Sequence, residues 1–286
     1  LTLASPGATN SLGANKAIVI DGIIPTLTFS PTNNATVVQI NTNITITFSE
    51  AVRKTDDFAL SDTNVDALIT LKNTDVNGTD IAFDSTIDTD KKVITIDPTA
   101  DFASEQVVYV AIGATVEDGA GNAIVASNAT FTGADINATT VTFSPANGAS
   151  NVAVSSNVTI TFNEGIRKID DSEITNTNVD ALITLKDSNS SGNDIAFDAT
   201  INSGKTLITI NPTNDFSSSQ VVYSAIGATV EDDANNAITA ISSTFTVADI
   251  VSPTIASGSL STDNSYLDIT MNEGVYNTNG GSGALD

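Results

Sequence analysis

Apolar and polar positions alternate with a period of two along much of the chain. Thr45-Ile46-Thr47-Phe48, Lys92-Val93-Ile94-Thr95-Ile96 and Val158-Thr159-Ile160-Thr161-Phe162 all read this way, as half-buried strands do. Gln106 to Ile112 is a longer apolar run, as expected for a central strand. Turn formers separate these runs: Ser30-Pro31-Thr32-Asn33-Asn34, Asn77-Gly78, Asp97-Pro98 and Asp118-Gly119-Ala120-Gly121-Asn122. No helical apolar stripe of useful length is present, and only Glu50 to Asp66 has room for a helical turn. The pattern predicts an all-β chain whose inward-facing positions include Phe48, Val108, Phe162 and Val222.

The pattern repeats. Phe29-Ser30-Pro31 returns as Phe143-Ser144-Pro145, an offset of 114. The heptapeptide Asp66–Lys72 returns as Asp180–Lys186, and Ile112–Asp118 as Ile226–Asp232, at the same offset. Aligned without a gap, residues 28–135 and 142–249 are identical at 66 of 108 positions. Such self-similarity is the mark of a repeat architecture. About seven short strands per ~100 residues further predicts an immunoglobulin-like β-sandwich for each copy. The expected organisation is tandem sandwiches joined end to end by short linkers. Residues 1–24 read as the last strand of a preceding β-domain (Ala17-Ile18-Val19-Ile20) with its linker. Repeat 1 occupies 25–135, repeat 2 occupies 136–249, and 250–286 opens a third repeat, since Ile269-Thr270-Met271-Asn272-Glu273-Gly274 matches Ile160 to Gly165. The first residues lack a Met and a basic stretch, so they do not read as a signal peptide, and the natural chain is expected to continue in both directions with further β-domains.

Phe29-Ser30-Pro31, Ile46-Thr47-Phe48-Ser49-Glu50, Ile94-Thr95-Ile96-Asp97-Pro98, Val108-Tyr109 and Val116-Glu117-Asp118-Gly119-Ala120-Gly121-Asn122 together resemble the bacterial Ig-like domain of S-layer proteins and giant adhesins. Both full repeats carry the resemblance. The second departs at Asp233-Ala234-Asn235-Asn236, where a loop of different shape is expected. The closing stretch Tyr276 to Gly283 is similar to repeats in very large surface proteins of marine gliding bacteria. The resemblance implies a secreted, cell-surface location and a scaffolding or adhesive role.

Composition narrows the chemistry. The 286 residues hold 34 acidic and 10 basic side chains, a net charge of −24, and neither His nor Cys. That charge repels nucleic acid and anionic membranes. Without Cys there is no disulfide framework and no thiol chemistry. Without His or Cys the commonest general base and the strongest nucleophile are missing, so no enzyme activity is expected. No apolar run reaches the ~18 residues of a membrane span. Thr pairs such as Thr45 and Thr47 read as solvent-facing strand positions, and Tyr109 and Tyr223 as corner tyrosines whose hydroxyls tie a loop to the sandwich.

One set of residues points to a ligand. If the second and sixth strands both run back toward the pole where the chain enters, a linker Asp, a Glu ending the second strand and a Glu-Asp ending the sixth meet there. In repeat 1 these are Asp21, Glu50, Glu117 and Asp118; in repeat 2, Asp135, Glu164, Glu231 and Asp232; in the third fragment, Asp249 and Glu273. Calcium takes about 6–8 oxygen ligands and is the cofactor such a set would hold. Solvated loop acids preserved by duplication are the alternative. The expected function is an extracellular structural segment, the stalk or filament element of a bacterial appendage or adhesin. Its partners would be neighbouring repeats and other copies in a homo-oligomeric filament. The alternative is an adhesion module gripping glycans or another cell through loops at one pole.

Overall fold

The computed structural model describes residues 21–275. The strand expected at Ala17 to Ile20 and the Gly-rich stretch from Tyr276 lie outside them. The chain is nearly all β and forms two compact units, divided between Asn137 and Ala138.

In unit 1 the strands are β1 (Leu27–Ser30), β2 (Ala35–Val38), β3 (Ile44–Phe48), β4 (Arg53–Lys54), β5 (Ile69–Asn73), β6 (Phe83–Ile87), β7 (Val93–Pro98), β8 (Val107–Ile112), β9 (Val116–Glu117) and β10 (Ser127–Gly133). One sheet has the order β1-β3-β7-β6 and is antiparallel throughout. The other has the order β2-β10-β8-β5, antiparallel except that β2 runs parallel to β10. β4 and β9 form a separate two-stranded ribbon. Strand alternation supplies the core. Ile44, Ile46, Phe48, Ile94 and Ile96 face inward from one sheet and meet Leu71, Val108, Val110, Ile112 and Phe131 from the other. Phe48 is 2% exposed and Val108 0%, as their pattern requires. Phe102, on the loop before β8, packs edge-on against Phe131 with ring centroids 5.5 Å apart.

Most outward positions of the first sheet are polar. Ser30, Thr45, Thr95 and Thr86 sit opposite one another across all four strands of the first sheet. Unit 1 has one 3-10 turn, Asp66–Leu68, which begins at the last residue of the Glu50–Asp66 stretch and lies beyond it. The Asp66 carboxylate accepts hydrogen bonds from the Ser85 backbone N–H (2.8 Å) and from its hydroxyl, which fixes the turn to β6. In the loop after β5, a Cβ at Gly78 would come within 1.4 Å of the Asn73 carbonyl oxygen, so only glycine fits there.

Unit 2 repeats the plan with β11 (Val141–Ser144), β12 (Val158–Phe162), β13 (Arg167–Lys168), β14 (Ile183–Asp187), β15 (Phe197–Ile201), β16 (Leu207–Pro212), β17 (Val221–Ile226), β18 (Val230–Glu231) and β19 (Ile241–Thr246). Its sheets have the orders β11-β12-β16-β15 and β14-β17-β19, with β13 paired to β18. In place of β2, the chain touches the last strand at one parallel bridge, Val152↔Val247. Phe162 is 2% exposed and Val222 0%, matching Phe48 and Val108. Two further strands, β20 (Ile255–Leu260) and β21 (Leu267–Met271), pair as an antiparallel hairpin. Leu267 and Ile269 there are exposed, whereas their repeat-1 counterparts Ile44 and Ile46 are fully buried.

Tyr109 corrects an expectation. It lies mid-strand in β8, on the solvent face between Thr130 of β10 and Lys72 of β5, and its hydroxyl ties no loop among the described residues. Tyr223 sits the same way between Thr244 and Lys186. The reason is parity: Val108, Val110 and Ile112 take the inner face, so the residue between the first two must point outward.

Candidate acidic cluster at the entry pole

β2 follows β1 and is parallel to β10, and β8 is antiparallel to β10. β8 and its continuation β9 therefore run back toward the pole where the chain enters, as β3 does. The loop after β3 and the loop after β9 meet there with the entering linker. Oxygens of the Asp21, Glu50 and Asp118 carboxylates lie within 4.8 Å of one another.

Asp21 and Asp118 are held by local chemistry. Asp21 accepts from the Ile23 backbone N–H at 3.0 Å, and its own carbonyl accepts from the Asn122 side-chain amide at 3.1 Å. Asp118 is buried and shapes the turn after β9. Its Oδ1 accepts from the backbone N–H groups of Ala120 (2.8 Å) and Asn122 (2.9 Å), and its Oδ2 from Asn122 Nδ2 at 2.7 Å. The Asn122 side chain, followed by its backbone N–H, holds the Asp118 carboxyl below its ordinary value. Two ionised carboxylates at 4.8 Å repel by about 1 kcal/mol in water and about 3–4 kcal/mol at an effective dielectric of 20. A cation among them would convert that repulsion into attraction.

Glu117 and Glu231, expected beside these acids, stand apart from them and are held by arginine. Glu117 Oε1 accepts from Arg53 Nε at 3.2 Å, and Arg53 also pairs with Asp57 at 2.7 Å. Glu231 accepts from Arg167 in the same way at 3.2 Å, with Asp171 completing the set at 2.9 Å. Consecutive residues of a strand point to opposite faces. Of Glu117 and Asp118 only one can reach the pole, and the other crosses to β4. Arg53 and Arg167, also 114 apart, were the readable sign.

In unit 2, Glu164 accepts from the Thr139 hydroxyl at 3.0 Å. Asp232 rebuilds the turn of Asp118, accepting from Ala234 and Asn236 backbone N–H groups at 2.8 and 2.9 Å. The Asp233-Ala234-Asn235-Asn236 loop, expected to differ, keeps its shape: Asn235 takes φ 71° where Gly121 takes 90°. Asn tolerates the left-handed region better than other residues with a side chain. Asp249 and Glu273 are hydrogen-bonded to each other. Burial, then the Asp249 charge, pushes the Glu273 carboxyl up, while Glu273 Oε1 is buried without a partner.

Two serines complete the picture and escaped the sequence reading. Ser104 Oγ donates to Asp135 Oδ1 at 2.7 Å and accepts from Ile136 N–H. Ser218 does the same for Asp249 at 2.7 Å and Ile250. Each serine stands 31 residues before its Asp. The Ser104 hydroxyl is the main cause of the lowered carboxyl at Asp135.

Two gapless copies of one sandwich, with acids gathered at a pole and no His or Cys, define a tandem β-sandwich repeat protein. A family model for the bacterial Ig-like domain matches residues 21–133 and again 135–247. The chain belongs to that family. No curated protein matches it. Among solved structures, the N-terminal part of the bacterial S-layer protein SbsC is 13% identical over 78% of this chain and 44% of its own, with a TM-score of 0.29. InvD of Yersinia pseudotuberculosis is 13% identical over 83% of this chain and 62% of its own, with a TM-score of 0.29. A titin fragment is 9% identical over 79% of this chain and all of its own, with a TM-score of 0.32.

Proposed function

We propose that this chain is an extracellular structural segment, the stalk or filament element of a bacterial surface appendage or adhesin, with calcium at its entry poles. One observation carries the structural reading. The entering strand β2 runs parallel to the leaving strand β10, so each sandwich takes the chain in at one pole and releases it at the other. Units of that kind can be strung in any number without altering the fold of each. The role needs no catalytic group. Immunogold labelling of native cells with an antibody to residues 28–135 tests it. Label along an extracellular appendage is expected, and label confined to the cell interior would overturn it.

The calcium reading rests on Asp21, Glu50 and Asp118 at one pole. The same three positions one repeat later are Asp135, Glu164 and Asp232, and Asp249 and Glu273 begin a further set. Carboxylates and loop carbonyls are the oxygen donors calcium prefers. A bound ion would tie the linker to two loops of the sandwich, so its removal should loosen linkers before sandwiches melt. Chelator is expected to speed limited proteolysis near residues 22–26 and 134–140 and to lower the melting temperature. Glu164→Gln should sensitise the second linker alone. Identical digestion and melting with calcium and with chelator would rule the ion out.

A further inference from the structure

The solvent face of the second sheet in unit 2 holds a depression of about 230 Å³, none of whose lining residues belongs to the acidic pole. Strand parity builds it. Val222, Ser224 and Ile226 of β17 face the core, so Tyr223 and Ala225 face outward and Gly227 follows in step. In steps of about 7 Å the surface descends from a ring to a methyl group to bare backbone. Across the strands, Ala225 stands between Thr184 of β14 and Ser242 of β19. The methyl group is thus a floor with a hydroxyl on either side, a ring at one end and Ile241, 37% exposed, on the rim. Among the described residues, neither of those hydroxyls nor that of Tyr223 has a protein partner.

A ligand for this place needs an apolar face and a polar edge. No lining residue carries a charge, and Lys186, opposite Tyr223 in the next row, is already paired with Asp194 at 2.5 Å. The net charge of −24 repels anions. Pockets for drug-sized molecules hold about 300–1,000 Å³, so this smaller one takes a single ring. The strands of Thr184 and Ser242 stand about 10 Å apart, two strand spacings, which a six-membered ring spans with a hydroxyl bonded on either side. A neutral pyranose meets all of these terms. Its C–H face lies against the apolar body of Tyr223 and its equatorial hydroxyls reach Thr184 and Ser242.

We propose that this face of unit 2 binds one neutral hexopyranose of a glycan, with Tyr223 as the platform, Thr184 and Ser242 as hydrogen-bond partners and Ala225 as the floor. Unit 1 keeps Tyr109, Thr70 and Ala111 and has Asn128 where Ser242 stands, so it takes the same class of ligand with an amide on one side. The site is on a sheet face, not on the loops of a pole, and depends on neither calcium nor the stalk reading. The test is an amide-shift titration of the whole isotope-labelled chain with methyl β-D-glucopyranoside, methyl β-D-galactopyranoside and the anionic methyl β-D-glucuronide. Saturable shifts at residues 184, 223–227 and 240–242 are expected with a neutral sugar, with a Kd of about 1–10 mM for so open a site, and weaker ones with the glucuronide. Tyr223→Ala should weaken binding roughly tenfold through loss of the ring. Ala225→Leu raises the floor while leaving the ring and both hydroxyls, and should abolish binding. Both changes are on the outer face, and a melting temperature equal to the parent's separates lost binding from lost fold. If Tyr223→Ala fails to fold, Ala225→Leu decides. No saturable shift at these residues with either neutral sugar, or shifts that survive Ala225→Leu, would overturn the proposal and leave the stalk reading untouched. Glucuronide binding as tight as that of the neutral sugars would overturn the neutral class.

Discussion

The two sandwiches share a backbone but fill it differently, at points where a residue's chemistry matters. On the inner face, directly opposed on neighbouring strands, unit 1 has Val110 against Ala129 and unit 2 has Ser224 against Ser243. All four are at most 1% exposed. The serines find partners: Ser224 Oγ donates to Ser243 O at 3.4 Å and Ser243 Oγ to Pro145 O at 3.2 Å. The exchange runs the other way at Ser85, bonded to Asp66, against Ala199. At the kink beside the leaving strand, Val37 takes φ 56° and Asn151 φ 59°. Left-handed backbone is costly for a β-branched residue and mild for Asn. The backbone thus tolerates a small hydroxyl pair in its core and a strained valine at its surface. What it does not vary is the inward phenylalanine and the pole acids.

This comparison yields a ranked set of expectations. Phe48→Ala and Phe162→Ala should each cost their own unit ~3–5 kcal/mol by opening a cavity. Unit-resolved hydrogen exchange under denaturant would read this, and a near-neutral outcome in one unit would break the equivalence of the two cores. Ser224→Val with Ser243→Ala, which copies unit 1, should raise the stability of unit 2 by about 1–2 kcal/mol, since apolar area replaces hydroxyls of modest net worth. If unit 2 weakened instead, its surrounding packing would have to differ from that of unit 1. Val37→Asn should stabilise unit 1 by about 1 kcal/mol by relieving left-handed strain, and Asn151→Val should weaken unit 2 by a similar amount; thermal melts of the two variants decide it. Gly121→Asn should lie within about 0.5 kcal/mol of neutral, because Asn already serves at that backbone position in unit 2.

Much of this was legible in the sequence, for physical reasons. The period of two placed Phe48, Phe162, Val108 and Val222 inside, and the offset of 114 made one fold serve both units. The direction of β3 and β9 brought Asp21, Glu50 and Asp118 to one pole. Alternation, pressed one residue further, would have separated Glu117 from Asp118 and turned Tyr109 outward. The left-handed Val37 was hidden because valine is among the best strand formers and nothing local announces a kink there. Ser104 and Ser218 were hidden because a serine in a serine-rich chain carries no signal until its distant Asp is seen beside it.

The row of Ser30, Thr45, Thr95 and Thr86 has a consequence for how the molecule meets its solvent. Strands repeat at about 4.8 Å, so the row offers water a ladder of hydroxyls at that spacing. Unit 2 repeats it with Ser144, Thr159, Thr209 and Thr200. Hydroxyls carry no charge for dissolved ions to screen. Carboxylates do, over a Debye length of about 8–10 Å at physiological salt. Ionic strength therefore acts on the carboxylates, at the poles and elsewhere on the surface, and leaves these rows of hydroxyls hydrated as before.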